Sequence, residues 1–494
     1  VIDYVEKPKS LYYQIERTKT AACVGSVRAD GNILSGKGVI VGVIDTGIDI
    51  FDNAFRNSDG TTRILNIYDQ TTGEKYDKQS IDEYIRLNED LSGGTFSYDN
   101  APGVDNIMHG TDVSYIAAGS LGVAYEADII AVKMGYSINN QFPRTTSLMD
   151  AIDYIIRKAI EYRKPVAVNI SYGCNYGAHN GNTLLESFID DISKSYRCVI
   201  CVGSGNEADK AIHFGGIINT GQVQTAYLSV GEYQSAIDIQ IWKNYWDTID
   251  VMLINPRGEQ IGIITEGRIN RYETYNTEII TLLGEPSPYN IYQEIYINLI
   301  PKTDYILSGI WQIVLMAGSI RAGEYNIWLP SSQALGYATA FNNPTADGTI
   351  TIPATARNCI AVGAYNAYTN SYAAFSGRGF DNSIRNVNAG VKPDITAPGV
   401  DISIARQRGN DITYRNVTGT SYAVPVVTGA AALLMQWGIV MGNDRFMYGE
   451  KLKAALIDGS KPVGLVGITR NDNQPDPRTG WGAVCLKNTL NKIL

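Results

Sequence analysis

Residues 38–50 read GVIVGVIDTGIDI, an apolar run that ends on Asp45-Thr46-Gly47. An aspartate in this position serves two kinds of peptide hydrolysis. Two carboxylates can share one proton and activate a water. Alternatively, a lone carboxylate can orient a histidine that activates a serine. The first needs a second Asp-Thr-Gly or Asp-Ser-Gly, and none occurs. SDGTT (58–62), ADGTI (346–350) and IDGSK (457–461) place Asp directly before Gly and read as turns.

The second needs a histidine, and the chain has three. His179 lies in the Gly/Asn-rich NYGAHNGN and His213 near a change in pattern. His109, in MHGTDVSYIAAGS (108–120), opens a helix of small and apolar residues that can pack closely and hold a ring in place. The nucleophile must be exposed yet fixed. In NVTGTSYAVPVVTGAAALLMQW (416–437), Gly419-Thr420-Ser421 turns into an apolar helix. A hydroxyl there faces free N–H groups and the positive end of the helix dipole, a field that favours an oxyanion. Pro425 is expected within the first turn or so, where a missing N–H costs little. On its own each word has a plain alternative: a turn residue, a packed ring, an N-cap.

The elements that would position these groups follow from the pattern. Strands at 39–45, 127–134, 165–173 and 198–206 alternate with helices at 148–163 and 184–196, the signature of a parallel sheet covered on both faces. From about 213 to 340 strands dominate: 236–242 and 294–300 alternate, 248–265 is two strands around Asn-Pro-Arg-Gly, and 309–330 reads as a hairpin. The expected fold is α/β, in three stretches: 1–212, first part of an α/β domain; 213–340, an inserted antiparallel β-sandwich; 341–494, second part of the α/β domain.

Net charge is −9 and spread along the chain, with 18% charged residues, which argues against a nucleic-acid partner. No apolar run approaches the roughly 20 residues of a membrane span; the richest, 430–440, reads as a buried helix. The six cysteines have no spacing of a disulfide framework, and Cys198 and Cys201 read as small buried hydrophobes.

Together, Asp45-Thr46-Gly47, His109-Gly110-Thr111 and Gly419-Thr420-Ser421-x-Ala-x-Pro425, in that order, resemble the subtilisin-like serine proteases (subtilases). Lys392–Gly399 and Ala373–Arg378 also look like family landmarks. The resemblance implies a catalytic triad of Asp45, His109 and Ser421. It implies an oxyanion hole from Asn206, supported by Thr420, and a first substrate pocket walled by Ser171, Tyr172 and Gly173 and by Gly203, Ser204 and Gly205. The partner implied is a protein or peptide substrate.

Departures are Val426 where the family often has His, and Asp112 where His is common. The turn at Gly119–Gly122 leaves no room for the loop that often holds calcium, so neither metal nor cofactor is expected. RILNIYDQ after the Asp motif, with the β-rich insert, resembles the clostridial Csp germination proteases, which implies that 213–340 is of jelly-roll type and that 1–212 and 341–494 form the catalytic domain it packs on. The same resemblance implies an autocatalytically removed prodomain, which Val1 fits, and a spore-associated or secreted bacterial protein. The implied substrate is the precursor of a spore cortex-lytic hydrolase. Some members of that group are silent, so a sensor or scaffold remains an alternative, as does a secreted subtilase of broader specificity.

Overall fold

The structure, a computed structural model, describes residues 14–25, 27–29, 31–89, 101–135, 143–264, 269–286, 288, 290–380, 391–408, 411–464 and 475–494. The N-terminal residue invoked for a lost prodomain lies outside them. The main sheet runs in the order Ser371–Tyr372, Ile360–Asn366, Cys198–Gly203, Val166–Ile170, Ile40–Asp45, Asp128–Lys133, Ile64–Asp69, Glu74–Asp77, with Ile395–Pro398 also on Ile360–Asn366. The central pairings are parallel. Every residue of Ile40–Asp45 is buried. Its alternate side chains serve two cores: Val41 and Val43 pack with the helices His109–Ala118 and Thr420–Met435, and Ile40 and Ile44 with Thr145–Tyr162 and Leu184–Ser195. Both faces are covered, so the strand is apolar throughout rather than alternating.

From His213 to Phe341 two antiparallel sheets enclose a third core. One has the order Gln260–Ile263, Ile249–Ile254, Gly309–Ala317, Val223–Val230, Ala340–Phe341. The other runs Ile269–Glu273, Thr277–Leu283, Tyr292–Pro301, Ile237–Asn244, Glu324–Trp328, His213–Ile217. This corrects the expected hairpin at 309–330, because its two strands belong to different sheets. The crossing is fixed by the buried Asp247 carboxylate, which accepts from the N–H groups of Arg321, Ala322 and Gly323 at 2.6, 3.0 and 2.7 Å. Alternation along each strand identifies a half-buried strand but not its neighbour.

A two-stranded ribbon, Ile402–Arg408 with Asp411–Val417, stands off the main sheet just before Ser421. The Ser421 helix continues through a π-turn to Val440. Thr420–Val440 is long and apolar enough to cross a membrane, but 83% of its most apolar window is buried inside the protein. It is a core helix, longer than the 430–440 stretch singled out by composition.

The expectation of no disulfide framework is also corrected: Cys23 and Cys485, 462 positions apart, are bonded. The segments around Ala22 and Leu486 meet there, the Leu486 N–H donating to the Ala22 carbonyl at 3.1 Å. Only the three-dimensional fold brings them together. Cys198 and Cys201 are free and buried, and burial pushes both thiols up to about 12. A cross-link over so long a loop constrains the unfolded chain, so Cys23→Ser is expected to lower stability by about 2–4 kcal/mol, read as a shift in denaturant midpoint.

Candidate active site

Asp45 ends the central strand at the carboxyl edge of the sheet, where open α/β folds bind ligands. Its side chain is 1% exposed; that of His109 is 25% exposed, and its Nδ1 lies 2.7 Å from Asp45 Oδ1. The same oxygen accepts from the Thr46 N–H at 2.8 Å. Met108 turns the chain at φ 66° so that His109 begins its helix. The approach requires Gly110, because a Cβ there would strike the Gly47 carbonyl and Asp45 Cβ.

Burial alone would lower the His109 pKa. The charge and hydrogen bond of Asp45, reinforced by Asp112 and Asp105, outweigh it, so the net shift is upward from the ordinary 6.5. Asp112, the residue that departs from the family pattern, is fully buried. It accepts from Arg406 Nε at 3.0 Å and pairs with Arg415. Both arginines come from the ribbon that leads into Ser421, so the ribbon ties the approach to Ser421 to the His109 helix.

Ser421 is half-buried, in the first turn of a helix otherwise buried from Tyr422 to Met435. The Tyr422 ring lies 5.3 Å from the His109 ring, which brings the Ser421 helix to the imidazole. Pro425 is the sixth residue of this helix, not part of its first turn. It therefore removes the N–H that would bond the Ser421 carbonyl. The Ser171 hydroxyl donates to that carbonyl instead, at 3.2 Å. Ser171 in turn accepts from Asn169 Nδ2 at 3.0 Å, and Asn169 Oδ1 lies 3.2 Å from the Thr428 hydroxyl on the same helix.

Asn206 follows the Cys198–Gly203 strand. Its Oδ1 accepts from both the N–H and the hydroxyl of Thr420, at 2.9 and 3.0 Å. Thr420 is thus committed to holding Asn206. Among the other residues named from the sequence, Tyr172 is half-buried and Gly173 exposed. Gly203 is buried against Thr420 and Val424, and the hydroxyl of buried Ser204 is 3.3 Å from Ser376 Oγ, so the side of this segment facing the opening is Gly205 and Asn206.

A residue that sequence reasoning missed joins the two segments. Thr351 is buried, its N–H donates to the Ser204 carbonyl at 3.0 Å, and its side chain occupies the space that a Cβ on either Gly173 or Gly205 would need. The clue was the pair of glycines, but Thr351 lies beyond the insert. His179 and His213, the histidines set aside, both stack on Trp328, at 4.1 and 4.9 Å.

The sequence profile described as the Subtilase family matches residues 36–287 and 322–482. The structure of the Clostridium perfringens CspB protease superposes with a TM-score of 0.86 and is 34% identical, over 96% of both chains. Subtilisin E of Bacillus subtilis (strain 168) is 38% identical over 107 residues, 21% of this chain and 24% of its own. The subtilase-type proteinase RRT12 of Saccharomyces cerevisiae is 33% identical over 128 residues, 25% of this chain and 23% of its own. The chain thus spans about a quarter of the length of these curated relatives.

The Ser171 hydroxyl substitutes for an N–H that Pro425 lacks. Ser171→Ala should therefore cost about 1–3 kcal/mol by stranding a buried carbonyl. In a Pro425→Ala background, where the helix supplies its own donor, most of that cost should vanish. A double-mutant cycle by chemical denaturation reads the difference.

Proposed function

This chain belongs to the subtilase family, and on that premise we propose that it is a serine endopeptidase with Asp45, His109 and Ser421 as its triad. The observation that carries the reading is the 2.7 Å contact between His109 Nδ1 and the buried Asp45 carboxylate, with the Ser421 helix packed on the same imidazole ring. In this reading Ser421 Oγ attacks the scissile carbonyl carbon while His109 Nε2 takes the hydroxyl proton. Asp45 holds the Nδ1–H tautomer and stabilises the imidazolium. The same proton then passes to the leaving amine, and water hydrolyses the acyl-enzyme by the reverse roles.

The developing oxyanion is met by the Ser421 N–H at a helix N-terminus and by the Asn206 amide. Because Asn206 is held through its oxygen by Thr420, its N–H groups turn the other way, toward the opening. Thr420 acts through Asn206. Ser171, Tyr172, Gly173 and the Gly203–Gly205 segment wall the first substrate pocket, with Thr351 between them.

The likeness to the CspB protease over nearly the whole chain supports a narrower proposal: a processing protease that acts on a protein precursor, that of a spore cortex-lytic hydrolase, after losing its own prodomain. The insert from 213 to 340 then serves mainly to brace the catalytic domain. Trp328 of the insert stacks on His179 of the catalytic domain at 4.1 Å, and the buried Glu207 carboxylate accepts from the Ser332 N–H at 3.0 Å.

A fluorophosphonate should label the wild type and not Ser421→Ala; equal labelling of both sinks the reading. Asp45→Asn should stay folded and lose about 10⁴ in turnover. The pH profile gives a second check. Imidazole must be neutral to accept the serine proton, so activity should climb with pH. The upward shift of His109 places the midpoint of kcat/KM above the roughly 6.5 of an ordinary histidine.

A further inference from the structure

Asp105 is fully buried four residues ahead of His109, and the reaction just described makes no use of it. Its Oδ1 accepts from the Thr46 hydroxyl at 2.8 Å and from the N–H groups of Ile107 and Met108 at 3.2 and 2.7 Å. Its Oδ2 accepts from the N–H and the hydroxyl of Thr111, both at 2.8 Å. A carboxylate that collects the backbone donors at a helix start does what an N-cap does. Here two of the donors are hydroxyls, and each leads onward.

A hydroxyl has one proton to give. Thr46 gives its proton to Asp105, so its oxygen is left to accept, and it accepts from the Gly110 N–H at 2.9 Å. Thr111 gives its proton to Asp105 and accepts from the Asp49 N–H at 3.0 Å. Both bridges join the turn after Asp45 to the first turn of the His109 helix. Their direction depends on an acceptor-only group in the centre. A neutral amide would aim its own N–H at one of these donors and break the pattern.

We propose that Asp105 is a positioning residue that sets the spacing of Asp45 and His109 by orienting the Thr46 and Thr111 hydroxyls across the gap between them. Its catalytic consequence rests on the reading of His109 as the general base; its geometric consequence does not. The charged and titratable groups facing His109 are Asp45 from the central strand, Asp112 from its own helix, Asp105 from the preceding loop and Tyr422 from the Ser421 helix, with Arg406 and Arg415 of the ribbon behind Asp112.

With three histidines in the chain, ¹⁵N-imidazole NMR of the full-length protein can follow each one, His109 being assigned by its loss in His109→Gln. In Asp105→Asn the His109 midpoint should fall, and the proton on Nδ1 should lose its strongly hydrogen-bonded shift, while His179 and His213 stay put. Thr46→Val keeps the Asp105 charge; it should lose the same proton signature with a smaller change in midpoint, which separates spacing from simple charge. In both variants kcat should drop by about 10- to 100-fold, the scale of a misplaced catalytic group, with KM held within about twofold.

His109 signals identical to wild type in either folded variant overturn the proposal, whatever happens to turnover. Should Asp105→Asn not fold, Thr46→Val decides alone. A displaced His109 in a chain that shows no Ser421-dependent labelling leaves the positioning claim standing and removes the peptidase reading.

Discussion

The Asp45 carboxylate is almost completely buried at the edge of a parallel sheet, and a buried charge must be compensated by partners held in place. Its Oδ1 has two, the His109 ring and the Thr46 N–H. The N–H comes from the next residue of the same chain turn, and the ring from a helix 64 positions away. The strand cannot shift, because its alternate residues are committed to separate cores on the two faces. The His109 helix cannot withdraw without exposing small residues packed against the strand. The arrangement therefore fixes the imidazole to the sheet, and the sheet is the most rigid reference available in the molecule.

The second requirement is to bring a group from the far end of the chain to the same ring. Three kinds of contact accomplish this. Tyr422 lies against the imidazole. The ribbon before Ser421 is pinned by Arg406 and Arg415 to Asp112, and by Arg408 to Asp49, 2.7 Å from Arg408 Nε. The Ser171 hydroxyl holds the Ser421 carbonyl. The acidic partners of these ion pairs are fully buried while the arginines are partly exposed, so removal of an arginine would strand a buried charge. Asp112, a departure from the family pattern, is thus the acceptor for two arginines that the ribbon brings to it.

Much of this was legible in the sequence, because strand and helix periods are local and the motif words sit at element ends. Asp45, His109 and Ser421 stood out as candidates from that signal, and the family resemblance carried by the motif words joined them and added Asn206. What was not legible depended on contacts between distant segments. Thr351 sits between Gly173 and Gly205 but follows the whole insert. The bond between Cys23 and Cys485 joins residues near the two ends of the chain. The strands Gly309–Ala317 and Glu324–Trp328 looked like a hairpin, since alternation reports burial on one face and is silent about which sheet owns it. Asp105 carried no pattern of its own; its role depends on two hydroxyls whose proximity only the fold creates.

The Ser421 helix shows why apolarity and chemistry coincide here. An isolated helix of that composition reads as a membrane span, yet it packs on one face of the central sheet beside the His109 helix. Close packing on every side suppresses rotation and sliding, so its first turn is placed as firmly as the strand that carries Asp45. Pro425 breaks the hydrogen-bond pattern near that end, and the freed carbonyl is recovered by Ser171, a residue of the segment proposed to wall the substrate pocket. One hydrogen bond therefore couples the Ser421 backbone to that segment. A change in the pocket wall is felt at Ser421 through that contact, without any movement of the helix as a whole.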